Sequence, residues 1–233
     1  MRPVLAAAGL LAVMLLASSG TRAEPARLLD FYRELQVAQV NGFSPYEISG
    51  GGEAAGEPAT VSGSILYGDR ARLALTLDEA NFYLRIHDRG DGEGATPFVT
   101  EVAVWFDAEG FPLLGLSERG LKAGVPFAGR VRFYSRASGR WNLVTATVLP
   151  ALDRDLCQAE PREVDESTAA WEGLGRVVIL LPRRGTDLAA WCVGPGPMAG
   201  TGMILTWDRA RSRFRKGRAL AAPAPWPDAA AAP

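Results

Sequence analysis

Two distant stretches of this chain repeat one pattern. VAVWFDAEGFPLLGLS, from Val102 to Ser117, aligns with VVILLPRRGTDLAAWC, from Val177 to Cys192, and sets Gly110 over Gly185 and Leu113 over Leu188. YSRASGRW, from Tyr134 to Trp141, then lies over WDRARSRF, from Trp207 to Phe214, so that Arg136 and Arg140 meet Arg209 and Arg213. The offsets, 75 and 73 residues, differ only by a small indel in the connecting loop, as a duplication predicts. Each unit reads as two consecutive hairpins. A single hairpin is marginal in water; two related pairs, at about 102–147 and 177–217, therefore predict units that cover each other's apolar faces.

The same pattern of short valine-, leucine- and aromatic-rich runs, bounded by Gly, Asp, Ser and Pro, extends across the chain. Strands are expected at Val61 to Tyr67, Phe82 to His87, Phe98 to Asp107, Pro112 to Ser117, Arg130 to Ser135, Arg140 to Thr147, Val177 to Leu181, Leu188 to Val193, Gly202 to Trp207 and Ser212 to Lys216. Arg70 to Ala80 fits strand or helix, and Asp153 to Gly173 reads as helical. Near the start, Leu28, Tyr32 and Leu35 recur at helical spacing beside Phe31, predicting a short helix over Ala26 to Gln36 that packs on the body, being too short to stand alone. The expected fold is mainly β: antiparallel hairpins in two related units forming a sandwich or two-lobed body, with an N-terminal helix and a helical connecting segment.

Met1-Arg2-Pro3 followed by the apolar run Val4 to Ala17 and the small residues before Glu24 has the outline of a signal peptide cut after Ala23. The run is shorter than a membrane span needs, and no later stretch could cross a bilayer. Residues 24–59 then read as the helix plus a Gly-rich linker, 60–218 as the β-rich domain, and 219–233 as a disordered Ala/Pro-rich tail. Losing Arg2 and Arg22 with the leader moves the net charge from -1 to -3, so nothing attracts nucleic acid globally. Cys157 and Cys192, an even pair in an exported chain, read as a disulfide. Closing about 35 residues stabilises the fold by roughly 3–4 kcal/mol in the chain-entropy model.

The string VAVWFDAEGFPLLGLSE, followed by VRFYSRASGRWNLVTATVLP, resembles stretches of exported bacterial proteins of unknown function, in which a hairpin precedes an FY…G.W..VT..VLP segment. The resemblance implies a β-rich exported fold and carries no functional residue.

Chemistry is harder to find. A triad needs a base, and His87 is the only imidazole; Ser62, Ser64, Ser117 and Ser135 lack a nucleophile-elbow setting. Cys192, in AAWCVGPG, has no positive neighbour to activate it. Acid pairs are available in Asp78 with Glu79, Asp88 with Asp91 or Glu93, and Asp165 with Glu166, which keeps open a carboxylate-dependent hydrolase of cell-wall or extracellular glycan. The stretch IHDRGDGEG, from Ile86 to Gly94, reads as a strand end and its loop; it lacks the ligand spacing of a calcium loop, and no metal or cofactor is implied. What remains is recognition. Tyr83, Arg85 and His87 alternate on one strand, and Arg130, Arg132 and Tyr134 on another, giving an arginine and aromatic surface suited to binding. The expected function is that of an exported, non-catalytic binding or interaction protein whose partner is an envelope protein or a glycan.

Overall fold

The central strands of this protein carry apolar side chains on both faces, so their sheet has to be covered from two sides. A computed structural model of the chain describes residues 26–38, 42–51, 58–63, 72–90, 95–122, 125–137, 139–152, 156–157, 176–193 and 200–220. The fold is mainly β. Strands β3 (Leu73–Asp78), β4 (Tyr83–Asp88), β5 (Phe98–Phe106), β6 (Pro112–Lys122), β7 (Val125–Ser135) and β8 (Asn142–Leu143) form a six-stranded antiparallel meander. Strands β9 (Val177–Leu180), β10 (Leu188–Cys192), β11 (Gly202–Asp208) and β12 (Arg213–Leu220) form a four-stranded one. A helix, α1 (Leu28–Val37), precedes the two-stranded ribbon of β1 (Glu47–Ser49) and β2 (Thr60–Ser62), and the single turn α2 (Thr145–Val148) follows β8.

Alternation along each central strand assigns its two faces. Trp105, Leu113, Val131 and Phe133 pack against Val177, Ile179, Leu188, Ala190, Leu205 and Phe214 of the four-stranded sheet. Leu84, Ile86, Val102, Leu114, Leu116 and Tyr134 point the other way and pack under α1, whose Leu28, Leu29, Phe31, Tyr32 and Leu35 supply the cover. The molecule is thus a sandwich of two sheets with a helical layer on its outer side. Ser117 Oγ donates to the Ile179 carbonyl, and the Leu181 amide to Glu101. Two residues along the chain therefore step from above β6 to above β5, so β9 crosses the central strands instead of following one.

The two hairpin pairs of the repeat correspond to β5–β8 and β9–β12. Their first turns share a glycine of positive φ, Gly110 at 88° and Gly185 at 80°. In their second turns a left-handed residue, Gly139 or Ser212, donates its amide to the carbonyl of Arg136 or Arg209 three residues back. The turn joining β3 to β4 has the same form: the amide of left-handed Phe82 donates to the Glu79 carbonyl, and Asn81 Nδ2 donates to Asp78 as Arg211 does to Asp208. A bulky left-handed residue is uncommon, and Phe82 is held there by edge-to-face contact with Phe106 at 5.3 Å.

Several expectations need correction. Arg140 to Thr147 is not a continuous strand: after Leu143 the Val144 amide turns back to the Phe133 carbonyl, Thr145 Oγ1 accepts from the Phe133 amide, and the chain enters α2. The boundary expected near Thr60 does not separate a linker from a body, because Phe43, Tyr46 and Ile48 are core residues and Ile48 pairs with Val61. Arg70 to Ala80 resolves into β3 and a 3-10 turn. Cys157 and Cys192 form the expected disulfide, with Cα atoms 5.3 Å apart, joining the segment after α2 to β10. The leader, most of the segment 153–173 and residues 221–233 of the tail lie outside the described residues, while Ala219 and Leu220, expected in the tail, belong to β12.

Close packing of the two sheets sets a test. A Cβ added at Gly115 would sit 2.7 Å from the Phe133 ring and 2.9 Å from the Trp105 ring, both buried between the sheets. Gly115→Ala should cost about 1–3 kcal/mol by overpacking, read from urea unfolding midpoints.

Candidate functional site

Strand β4 places Tyr83, Arg85 and His87 on the face toward the four-stranded sheet, opposite Ala103, Glu101 and Val99 of β5; these in turn lie opposite Gly115, Ser117 and Arg119 of β6. Glu101 is the centre of this patch. Only 5% exposed, it accepts from Tyr83 Oη at 2.9 Å, from Arg119 Nη2 at 2.8 Å and from the Leu181 amide at 3.0 Å. Burial pushes its carboxyl pKa up, but the charge and hydrogen bond of Arg119, with the Leu181 amide and the Tyr83 hydroxyl, outweigh it and hold the group below the ordinary carboxylate range. Burial, and then the neighbouring Glu101 charge, push the Tyr83 phenol up.

His87 is half-buried beside this pair. Its Nδ1 accepts from Arg89 Nε at 3.4 Å, which leaves the proton on Nε2. Burial, followed by the charges of Arg89, Arg85 and Arg119, lowers its pKa to about 4, so the imidazole is neutral at physiological pH. A base this weak is poorly matched to proton abstraction near neutrality.

Arg130, Arg132 and Tyr134 lie on the opposite face of the same sheet, under α1. Arg130 grips both oxygens of Glu118 in a bidentate pair, and the Glu118 charge and hydrogen bond hold the guanidinium pKa up against the lowering effect of burial. Arg130 and Arg132 each donate to the Gly42 carbonyl at 3.1 Å, and the Tyr134 ring meets Phe43 edge-on at 5.5 Å. Arg132 is 2% exposed and Tyr134 fully buried. The shared recognition surface expected of these six residues is therefore not formed. Alternation identifies which residues of one strand share a face, but not which side of the sheet that face takes, and here the two sets take opposite sides. Arg130 and Arg132 fasten the segment after α1 to the sheet.

Of the acids proposed around the loop after β4, only Asp88 lies among the described residues. Asp88 is fully buried, accepting from the Gly90 amide at 3.2 Å and Tyr46 Oη at 3.3 Å; Asp91 and Glu93 lie outside the described residues. Among the described residues no group of three or more His, Cys, Asp or Glu side chains could hold a metal ion.

A second place gathers functional groups that the sequence did not single out. The hairpin turns of the four-stranded sheet reach the turn end of the six-stranded one: Arg183 pairs with Asp78 at 2.9 Å, Arg209 Nε donates to the Asp107 carbonyl at 2.8 Å, and Trp105 Nε1 donates to the Thr186 carbonyl at 2.8 Å. Beside Asp107 opens a hollow of about 260 Å³, walled also by Phe111, Ser135, Thr147, Val148 and Arg211. Asp107 is held by the Phe111 amide at 2.7 Å, and Phe111 stands at the lip, 42% exposed. Its lining carries a guanidinium, a carboxylate, the three hydroxyls of Ser135, Thr147 and Ser212, and an apolar wall. Its only sequence signal was the repeated turn, which put Arg209 in register with Arg136.

No family model, characterised protein or solved structure matches this chain.

Two measurements test the inter-sheet patch. Glu101→Gln strands Arg119 without its counter-charge and should cost about 3–5 kcal/mol, part of which Arg119→Met in the same chain restores. Between about pH 6.5 and about pH 4 the unfolded chain takes up a proton at position 87 that the folded one refuses, so stability falls as pH drops through that window. In chloride buffer His87→Gln should flatten this slope in unfolding curves recorded across it.

Proposed function

We propose that this chain is an exported binding or interaction protein of the bacterial envelope, periplasmic or secreted, and that it holds its partner, an envelope protein or a glycan, at the turn end of the sandwich. The observation that carries this reading is the hollow beside Phe111 and Arg211. Several turns, braced by contacts between the two sheets, frame one concavity with an exposed aromatic at its lip, the arrangement by which rigid scaffolds present binding loops. A volume of about 260 Å³ suits one inserted side chain or a sugar unit better than a large substrate.

Export is supported by the leader-like first residues and by the disulfide, a bond that persists in oxidising compartments. Among the described residues no helix is long and apolar enough to cross a membrane. A non-catalytic role is supported by how the candidate groups are spent: the one imidazole is a weak base between two sheets, and Asp88 is turned inward to hold its own loop.

A photo-crosslinking residue placed at Phe111 in the full-length protein, expressed in its native envelope, should give a discrete adduct that Arg211→Ala weakens at least severalfold. The same residue placed at Val37, which is 85% exposed on α1, should not. Equal labelling from the two positions would sink the assignment of the turn end.

A further inference from the structure

The hydrogen-bonding groups on the inter-sheet face do not balance, and the imbalance has one sign. On that face His87, Val99 and Arg119 form one row across β4, β5 and β6, and Arg85, Glu101 and Ser117 form the next. Both oxygens of Glu101 are taken by Tyr83, Arg119 and the Leu181 amide. Arg85 Nε, Arg119 Nε and His87 Nε2 remain, each shielded from solvent and each without a hydrogen-bond partner. Arg119 is itself 3% exposed. Because His87 Nδ1 accepts from Arg89, its Nε2 carries a proton, so all three unsatisfied atoms are donors.

The sign of the imbalance selects what can complete the patch. A buried donor left unmade costs about 1–3 kcal/mol, more where the group is charged. A water molecule could accept from some of these donors, but it brings two hydrogens of its own into a place already rich in them. An oxyanion brings acceptors only, and it also offsets the charge of Arg85, which forms no ion pair among the described residues. Guanidinium groups match the spacing of phosphate and sulfate oxygens. Access is available from the β4 side, where Arg85 and His87 are only half-buried and Arg89 is exposed.

We propose that Arg85, His87 and Arg119 form a binding site for a small inorganic oxyanion, sulfate or phosphate. It lies several residues along β4 from the turn end and does not depend on the function proposed there. The charged groups acting on the imidazole are Arg85 and Asp88 on β4, Arg89 just after it and Arg119 on β6, with Glu101 of β5 in the neighbouring row. An anion seated among them would stabilise the imidazolium.

His87 is the only histidine in the chain, so its ring resonances report on the site without overlap. The mature protein is titrated by NMR in sodium chloride and in sodium sulfate at matched ionic strength. The expected result is that sulfate moves the His87 midpoint from about 4 to about 5 or higher, with saturation as sulfate rises. It should also raise the thermal midpoint. Arg85→Gln, with its fold checked by circular dichroism, should lose the saturable response. A midpoint that is the same in the two salts overturns the proposal, because the donors then take water. An equal sulfate response in Arg85→Gln overturns it too, since the anion then acts elsewhere. If Arg85→Gln does not fold, the comparison of the two salts in the unaltered protein decides alone.

Discussion

One carboxylate holds the two halves of this protein together. Glu101 sits in the middle of the central sheet and reaches across the interface to the Leu181 amide, while Arg119 and Tyr83 hold it from within its own sheet. A buried carboxylate is costly unless it is paired and its lone pairs are filled, and here the partners come from β4, β6 and the residue that follows β9. The position of β9 over β5, the orientation of Arg119 and the closure of the sandwich beside Trp105 are thereby set by the same group. A mere apolar interface would tolerate sliding; this one has a defined register.

The opposite face repeats the principle with other residues. Glu118 and Arg119 are adjacent in sequence, and alternation sends them to opposite sides of β6. Glu118 is gripped by Arg130 beneath the helical layer, and Arg119 holds Glu101 beneath the second sheet. Among the described residues the central sheet is thus a septum with one buried ion pair on each side, next to the bulge between β6 and β7. One edge of each sheet is protected in a different way. β8 is only two residues long. β12 carries Arg213, Arg215, Lys216 and Arg218, an array of cations that discourages a second chain from pairing along it.

Much of the architecture was legible in the residues, and the site far less so. Strand periodicity located most of the strands from β4 onward, the glycines at 110 and 185 marked equivalent turns, and the cysteine pair announced its bond. The turn at Asp78 to Phe82 escaped notice because a phenylalanine occupies the left-handed place where Gly139 stands in its counterpart, and the backbone pattern survives where the residue signal does not. The strip Arg130, Arg132 and Tyr134 read as part of a recognition surface because alternation within a strand is local. Its burial depends on Glu118, one strand away, and on Gly42, 88 residues away from Arg130. The hollow at the turn end had no signature of its own, since its walls come from four separate segments brought together by tertiary structure.

The crossing of β9 over β5 and β6 also bears on the order in which the fold can be completed. Synthesis proceeds from the N-terminus, so the whole six-stranded sheet and its helix precede every residue of the second sheet. Until Val177 to Phe214 arrive, Trp105, Leu113 and Phe133 have no cover and Glu101 lacks the Leu181 amide. The first half of the polypeptide is therefore an adhesive intermediate, open on one side to any passing hydrophobic segment. Its protection during biogenesis has to come from a holding factor or from the speed with which the remaining strands follow.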